Sequence, residues 1–215
     1  MESRLIGEGA DEWLAEVQAS RANPGIKGLM TGFRRIDEQL GGIDPGHYGL
    51  ITARTGVGKT AFALAVARNM MDSGKTAGFI TLEMTPNQLR YRLAAAAAGV
   101  DVDTFRHGWA SNDAIKRGYQ ALKGMNMRIN TTLSQDVGRV MGCVREMAQH
   151  CDIVFIDYMQ LMRTKAATRV AELALASKAV FQVALETKVP CVGLVQLNRD
   201  ADGVVPRLSN MKGAG

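Results

Sequence analysis

The stretch Ala53-Arg54-Thr55-Gly56-Val57-Gly58-Lys59-Thr60 lies between an apolar run, Tyr48-Gly49-Leu50-Ile51-Thr52, and a helix-forming run that begins at Ala61. A strand that feeds a glycine loop opening a helix aims the helix's first free N–H groups at one small volume, and that volume favours an anion. Gly56 and Gly58 let the backbone close around phosphate oxygens, Lys59 can reach the outer phosphates, and the Thr60 hydroxyl can ligate an accompanying Mg²⁺. The stretch therefore reads as a phosphate-binding loop, with Arg54, Thr55, Gly56, Val57, Gly58, Lys59 and Thr60 as its nucleotide-binding residues. Ala53 stands where the strict pattern has glycine, a mild departure because Val-Gly-Lys-Thr carries most of the chemistry. A plain glycine-rich connector is the alternative, and the strand-loop-helix context speaks against it.

Outward from the loop, 215 residues with 47% hydrophobic side chains suffice for one sizeable buried core. The balance of 26 Lys+Arg against 21 Asp+Glu permits an anionic partner without requiring one. Cys143, Cys151 and Cys191 are far apart and two of them lie in or beside apolar runs, so they read as core residues in a reducing compartment, without zinc spacing. No apolar run approaches the roughly 18 residues of a membrane span, and the expected location is the cytosol.

Along the chain, Asp11 is placed to cap a short helix carrying Trp13, Leu14 and Val17 on one side. A helix of about ten residues is marginal alone, so that side is expected to dock on the chain's own core or on a neighbouring copy. Residues 1–26 then form this helix and a linker, and 27–215 the main domain. A helix from Thr60 to Gly74, a strand over residues 76–82 ending at Glu83, and a helix opened by Pro86 follow, the last containing the tract Ala94 to Ala98. That tract predicts a close helix contact. A helical region is expected over Val102 to Lys123, a short strand over Met127 to Thr131, and a helix from Asp136 to about His150. Cys151 to Asp157 is a continuous apolar run ending in a carboxylate, which suits a parallel strand covered on both faces. A helix over residues 167–188 and a last buried strand from Cys191, ending in Gln196, complete the pattern. Alternating strands and helices imply an α/β fold, a mostly parallel sheet flanked by helices, whose ligands sit at the carboxyl ends of the strands. Glu83, Asp157 and Gln196 all occupy that position, so three polar residues distant in sequence are expected to converge on the phosphate loop.

Phosphoryl transfer needs charge neutralisation, a held Mg²⁺ and an oriented water more than covalent chemistry. Thr60 and Asp157 are the candidate metal contacts, Asp157 through a coordinated water, and Lys59 offsets phosphate charge. Glu83 is the candidate for orienting and deprotonating the attacking water, against the plainer reading of an exposed acid after a strand. Gln196 is the candidate sensor of the terminal phosphate, so that the catalytic set is Glu83, Lys59 and Gln196. Two cationic segments, Arg163, Lys165 and Arg169 after the Asp157 strand, and Arg199, Arg207 and Lys212 after Gln196, are candidates for gripping a nucleic-acid backbone. Solvated loops are the alternative. Aromatics are nearly absent from both, so binding there would be directed at the backbone and tolerant of sequence. His47, His107 and His150 have no ligand spacing and read as surface residues.

In order and spacing, Thr31-Gly32-Phe33 with Asp37 and Gly41-Gly42-Ile43, the phosphate loop, Thr81-Leu82-Glu83-Met84, Ile156-Asp157-Tyr158-Met159-Gln160-Leu161-Met162 and Gln196-Leu197-Asn198-Arg199 resemble the successive motifs of the DnaB-type replicative helicase ATPase domain. The resemblance covers about residues 27 to 215. It implies a RecA-like core, ATP and Mg²⁺ as nucleotide and metal, homo-hexameric rings with ATP hydrolysed between subunits, and translocation on single-stranded DNA. Carried over by position, Lys59 and Thr60 bind nucleotide and Mg²⁺, Glu83 is the catalytic base, Asp157 the metal-side acid and Gln196 the phosphate sensor, with the loops after Asp157 and Arg199 facing the DNA. A primase or helicase loader is the implied protein partner, and the helix around Trp13 resembles the linker helix that packs on the next subunit.

Two departures accompany the resemblance. The family's N-terminal helical domain has no counterpart, and Pro206 to Gly215 carries Asn210 and Lys212 where the family has an acid and an arginine. The family's arginine finger and last strands lie beyond that point, which predicts a truncated or degenerate product that binds ATP and hydrolyses it slowly, since a neighbour's cation can contribute roughly 10³ to 10⁵ in rate. Other readings are a RecA-like ATPase of another branch (a recombinase, a RadA-type repair protein or a clock-type ATPase) and a nucleotide-dependent interaction module without motor activity.

Overall fold

The computed structural model describes residues 5–22, 25, 28–132 and 134–197. Helices α1 (Ala10–Ala22) and α2 (Arg34–Leu40) precede β1 (Tyr48–Ala53), which runs through the phosphate loop into α3 (Lys59–Asp72). Then come β2 (Ala77–Thr81), α4 (Pro86–Ala98), α5 (Val102–Arg106), α6 (Asn112–Gly124), β3 (Met127–Asn130), α7 (Val137–Ala148), β4 (Ile153–Asp157), a 3₁₀ turn at Met159–Leu161, α8 (Arg169–Thr187) and β5 (Cys191–Gln196). The five strands form one sheet in the order β1-β5-β4-β2-β3, and every pairing is parallel. Strands β2 and β4 are buried at every position, as continuous apolar runs between two helical layers require.

Alternation along those strands divides the core in two. Phe79, Ile153, Phe155 and Leu194 face α3 and α4, with the Phe79 and Phe155 rings stacked 6.1 Å apart. Ile80, Val154, Ile156 and Val195 face α7 and α8. Each of these large apolar side chains contributes roughly 1.5–3 kcal/mol by leaving water. The alanine tract of α4 makes the close contact expected of it: Ala94, Ala95 and Ala98 are buried, and a Cβ placed on Gly118 of α6 would lie 3.0 Å from the Ala94 methyl.

Two expectations are corrected. The region from Val102 to Lys123 is two helices, because Gly108 at φ +73° ends the first and the Ser111 side chain caps the second by accepting from the Ala114 N–H. Helix α1 begins at Ala10, which puts Asp11 in the first turn instead of at the cap. Trp13, Leu14 and Val17 are 64%, 47% and 43% exposed, so among the described residues the apolar side of α1 does not dock on the chain's own core.

The segment before β1 is pinned to the helix that leaves the phosphate loop. The Asp37 carboxylate, 2% exposed, accepts from the Thr31 N–H and hydroxyl, both at 2.7 Å, and from the Gly32 N–H at 3.0 Å. Asn69 of α3 donates to the Thr31 carbonyl at 2.9 Å, and the Phe33 and Phe62 rings meet at 5.0 Å. Substituting Asp37→Ala strands three donors at once, so urea unfolding is expected to report a loss of about 2–4 kcal/mol; a loss under ~0.5 kcal/mol would show that water replaces the carboxylate.

Candidate functional site

Because β5 lies between β1 and β4, and β2 follows β4, the ends of four neighbouring strands deliver the phosphate loop, Gln196, Asp157 and Glu83 in that spatial order. Register sets them in two tiers: Ala53 is opposite Gln196 and Thr81 is opposite Asp157, while Asp157 is opposite Leu194, two residues short of Gln196. The loop needs positive φ at Gly56 (+80°) and Gly58 (+106°), a conformation that side chains with a Cβ resist. Gly58 is the N-cap of α3, so Lys59 is the first helical residue and the helix's unpaired N–H groups open toward the loop.

A cavity of about 530 Å³ sits over this rim. The loop lines it with Arg54, Thr55, Gly56, Gly58, Lys59 and Thr60, and Glu83 and Gln196 line the facing side. Glu83 is exposed to it from a short turn, where the buried Thr81 hydroxyl accepts from the Met84 N–H at 2.8 Å. Directly after that turn, Thr85 and Gln88 cap α4 reciprocally, the Gln88 side chain accepting from the Thr85 N–H at 2.8 Å. The Gln196 side-chain amide donates to the Thr55 hydroxyl.

At the base of the cavity Asp157 is fully buried and its carboxylate accepts from the Thr60 hydroxyl at 2.7 Å. Lys59 Nζ lies 3.9 Å from the other carboxylate oxygen and 4.6 Å from the centre of the Tyr158 ring. Burial pushes the Asp157 carboxyl above its ordinary value, opposed by the Thr60 hydrogen bond and the charges of Lys59 and Arg92. Burial likewise pushes the Lys59 ammonium down, opposed by Asp157 and Glu83. Each charge thus offsets part of the other's burial cost.

The donor set fits Mg²⁺. Asp157 Oδ1 is buried without a hydrogen-bond partner, next to the Thr60 hydroxyl, and a hard cation takes such oxygens together with phosphate oxygens and water. Thr60 and Asp157 would hold the metal, which supplies neutralising charge to a polyphosphate. Among the described residues no group of three or more His, Cys, Asp and Glu side chains is placed to bind a metal by itself.

The cationic segments fall differently. Arg163 and Arg169 both engage Glu172 of α8: Arg163 Nη1 donates at 3.3 Å, Arg169 donates to the same oxygen, and the Thr164 N–H meets the second oxygen at 3.2 Å. These donors hold the Glu172 carboxyl below its ordinary value, the Arg169 hydrogen bond foremost. Lys165 is exposed. Arg199, Arg207 and Lys212 lie outside the described residues. The histidines at 47, 107 and 150 are exposed, and no helix among the described residues is long and apolar enough to cross a membrane.

Four polar cavity residues escaped the sequence reading: Gln88, Tyr91, Arg92 and Arg106. Tyr91 and Arg92 share a wall with Gln88, the i, i+3, i+4 face of α4 opposite the buried Leu89 and Leu93. That polar stripe was the available signal.

The model of the DnaB-like helicase C-terminal domain family matches residues 28–215. A probable plasmid replicative DNA helicase of Chlamydia psittaci is 34% identical over 201 residues, covering 88% of this chain and 44% of that protein. The replicative DNA helicase DnaB of Haemophilus influenzae is 31% identical over 186 residues, covering 81% and 40%. The chain thus spans less than half the length of these relatives. Among solved structures, a DnaB-like replicative helicase, studied with its interactions with primase, superposes with TM-score 0.83 at 27% identity, covering 100% of this chain and 54% of that one. A separately solved ATPase domain superposes with TM-score 0.85 at 27% identity, covering 97% and 78%. The RadB recombinase and a KaiC-like protein of Pyrococcus horikoshii, both 19% identical with TM-scores of 0.52 and 0.56, share the RecA-like fold alone. With a parallel sheet whose strand ends gather around a glycine loop, and a family match over nearly its whole length, the chain belongs to the DnaB-like helicase C-terminal domain family.

Proposed function

We propose that this chain is the ATPase core of a replicative DNA helicase, which binds ATP with Mg²⁺ in the cavity over the phosphate loop and couples its hydrolysis to movement along single-stranded DNA. The observation that carries the reading is the convergence of Glu83, Asp157 and Gln196 with Lys59 and Thr60 at four consecutive strand ends. In this reading Lys59 and the loop amides bind the phosphates, Thr60 and Asp157 hold the metal, Glu83 takes the proton of the attacking water, and Gln196 meets the terminal phosphate. Arg92, unassigned in the sequence reading, adds positive charge on the Glu83 side of the cavity.

Residues 1–26 act as a linker helix and tether, and 27–215 as the motor domain. The exposed apolar side of α1 suits a neighbouring copy in a ring, with six copies as the family's expected number. Arg163, Lys165 and Arg169, together with Arg199, Arg207 and Lys212, are the proposed DNA contacts, and a primase or loader the proposed protein partner. Two arginines of the first group would meet DNA phosphate only by exchanging it for the Glu172 carboxylate.

The test is nucleotide binding and phosphate release by the full chain. Mg²⁺-dependent ATP binding is expected, with phosphate release that rises when single-stranded DNA is added, however low the basal rate. Open filaments with strand-exchange activity would transfer the chain to a recombinase function. ATP binding with no response to DNA in affinity or turnover would leave only an interaction module.

A further inference from the structure

Strand β4 pairs with β5 only as far as Asp157, opposite Leu194, whereas β5 continues to Gln196. After Asp157 the chain turns away into the 3₁₀ turn, so the end of β5 has no main-chain neighbour from β4 on that side. A side chain fills the gap. Gln160 Nε2 donates to the Gln196 carbonyl at 2.8 Å, and Gln160 Oε1 accepts from the Gln196 N–H at 3.2 Å. On the opposite side of β5 the Leu197 N–H donates to the Ala53 carbonyl at 3.0 Å. Gln160 is 7% exposed, and its neighbour Met159 packs so closely on β5 that a Cβ at Gly193 would lie 2.9 Å from Met159 Cγ. The carboxamide, with one donor and one acceptor spaced like those of a peptide group, serves as an additional rung of the sheet.

We propose that Gln160 is a positioning residue for Gln196: its amide rung holds the end of β5 in register with the Asp157 strand, so that the Gln196 side chain stays over Thr55 and distinguishes ATP from ADP. This rests on the reading above that Gln196 meets the terminal phosphate. The same 3₁₀ turn leads to Arg163, whose N–H donates to the Gln135 carbonyl at 2.6 Å, and Arg169 Nη1 donates to the Met162 carbonyl at 3.1 Å. The rung therefore joins the sensor strand to the turn that precedes the cationic loop. Without it, the Gln196 N–H and carbonyl lose their partners and the strand end shifts to find others.

The test is equilibrium binding of ADP and of a non-hydrolysable ATP analogue to the full chain and to the variants Gln160→Met and Gln160→Glu. Gln160→Met is expected to bind ADP within about twofold of wild type and the analogue roughly tenfold more weakly, the equivalent of one lost hydrogen bond. Gln160→Glu adds a readout that a merely structural role would not move. Ionised, its carboxylate offers two acceptors to a carbonyl; protonated, it presents one donor and one acceptor, as glutamine does. Its preference for the analogue over ADP, normalised to wild type at each pH, is expected to be low near pH 8 and to recover toward pH 5.5. Parallel weakening of both ligands, or a preference independent of pH, would overturn the proposal. Wild-type protein that binds neither nucleotide would overturn it together with the ATPase reading, and that failure is visible before any variant is made.

Discussion

Replacing Glu83 with glutamine is expected to leave ATP bound while turnover falls by roughly 10² to 10⁴-fold, the usual contribution of a positioned general base. The substitution keeps the size of the side chain and its ability to orient water, and removes only its capacity to accept the proton. The turn that presents the side chain is held by the Thr81 hydroxyl and the Thr85 cap, neither of which involves the carboxylate, so the fold is expected to be indifferent to the change. Single-turnover hydrolysis and a parallel ATP-binding titration distinguish the outcomes. A rate within twofold of wild type would make Glu83 an exposed acid that happens to follow a strand.

Substituting Lys59→Ala acts earlier, on binding. A unit charge about 4 Å from a phosphate oxygen is worth ~4 kcal/mol at an effective dielectric constant near 20, so nucleotide affinity is expected to fall by roughly a thousandfold. Because Lys59 also sits 3.9 Å from the buried Asp157, its loss leaves that carboxylate with the Thr60 hydroxyl and the charge of Arg92, and thermal stability should decline as well. Adding Asp157→Asn to Lys59→Ala separates the two effects. The pair is expected to regain stability without regaining affinity. Tight ATP binding by Lys59→Ala would mean that the loop's backbone amides suffice and that the lysine belongs to the buried ion pair.

Much of this arrangement was legible in the residues themselves. Ile153–Asp157 and Cys191–Gln196 are apolar without alternation, and such runs fit only strands covered on both faces, so the polar residue ending each had to emerge at the rim. Strand order was not legible. Nothing in the local pattern says that the last strand inserts between β1 and β4, which is what seats Gln196 between the phosphate loop and Asp157. The cationic loop misled for a related reason: Arg163 and Arg169 read as free charges, because their common partner Glu172 becomes a neighbour only when α8 folds back past the turn. Gln160 sat in plain view within a motif. Its contribution depends on β5 outrunning β4, a difference in strand length set by tertiary pairing. The break between α5 and α6 could have been anticipated from Gly108 and from the capping serine at 111.

Drawing the candidate site groups from four adjacent strand ends makes the sheet a ruler for the site. Neighbouring strands are spaced about 4.8 Å apart, and a one-residue slip along any of them carries its terminal group about 3.3 Å and reverses the facing of every side chain behind it. Misalignment therefore cannot be confined to the rim. A buried residue such as Phe155 or Leu194 helps set how closely the proposed nucleotide-binding groups align, and selection for a well-filled interior is at the same time selection for a well-aligned rim.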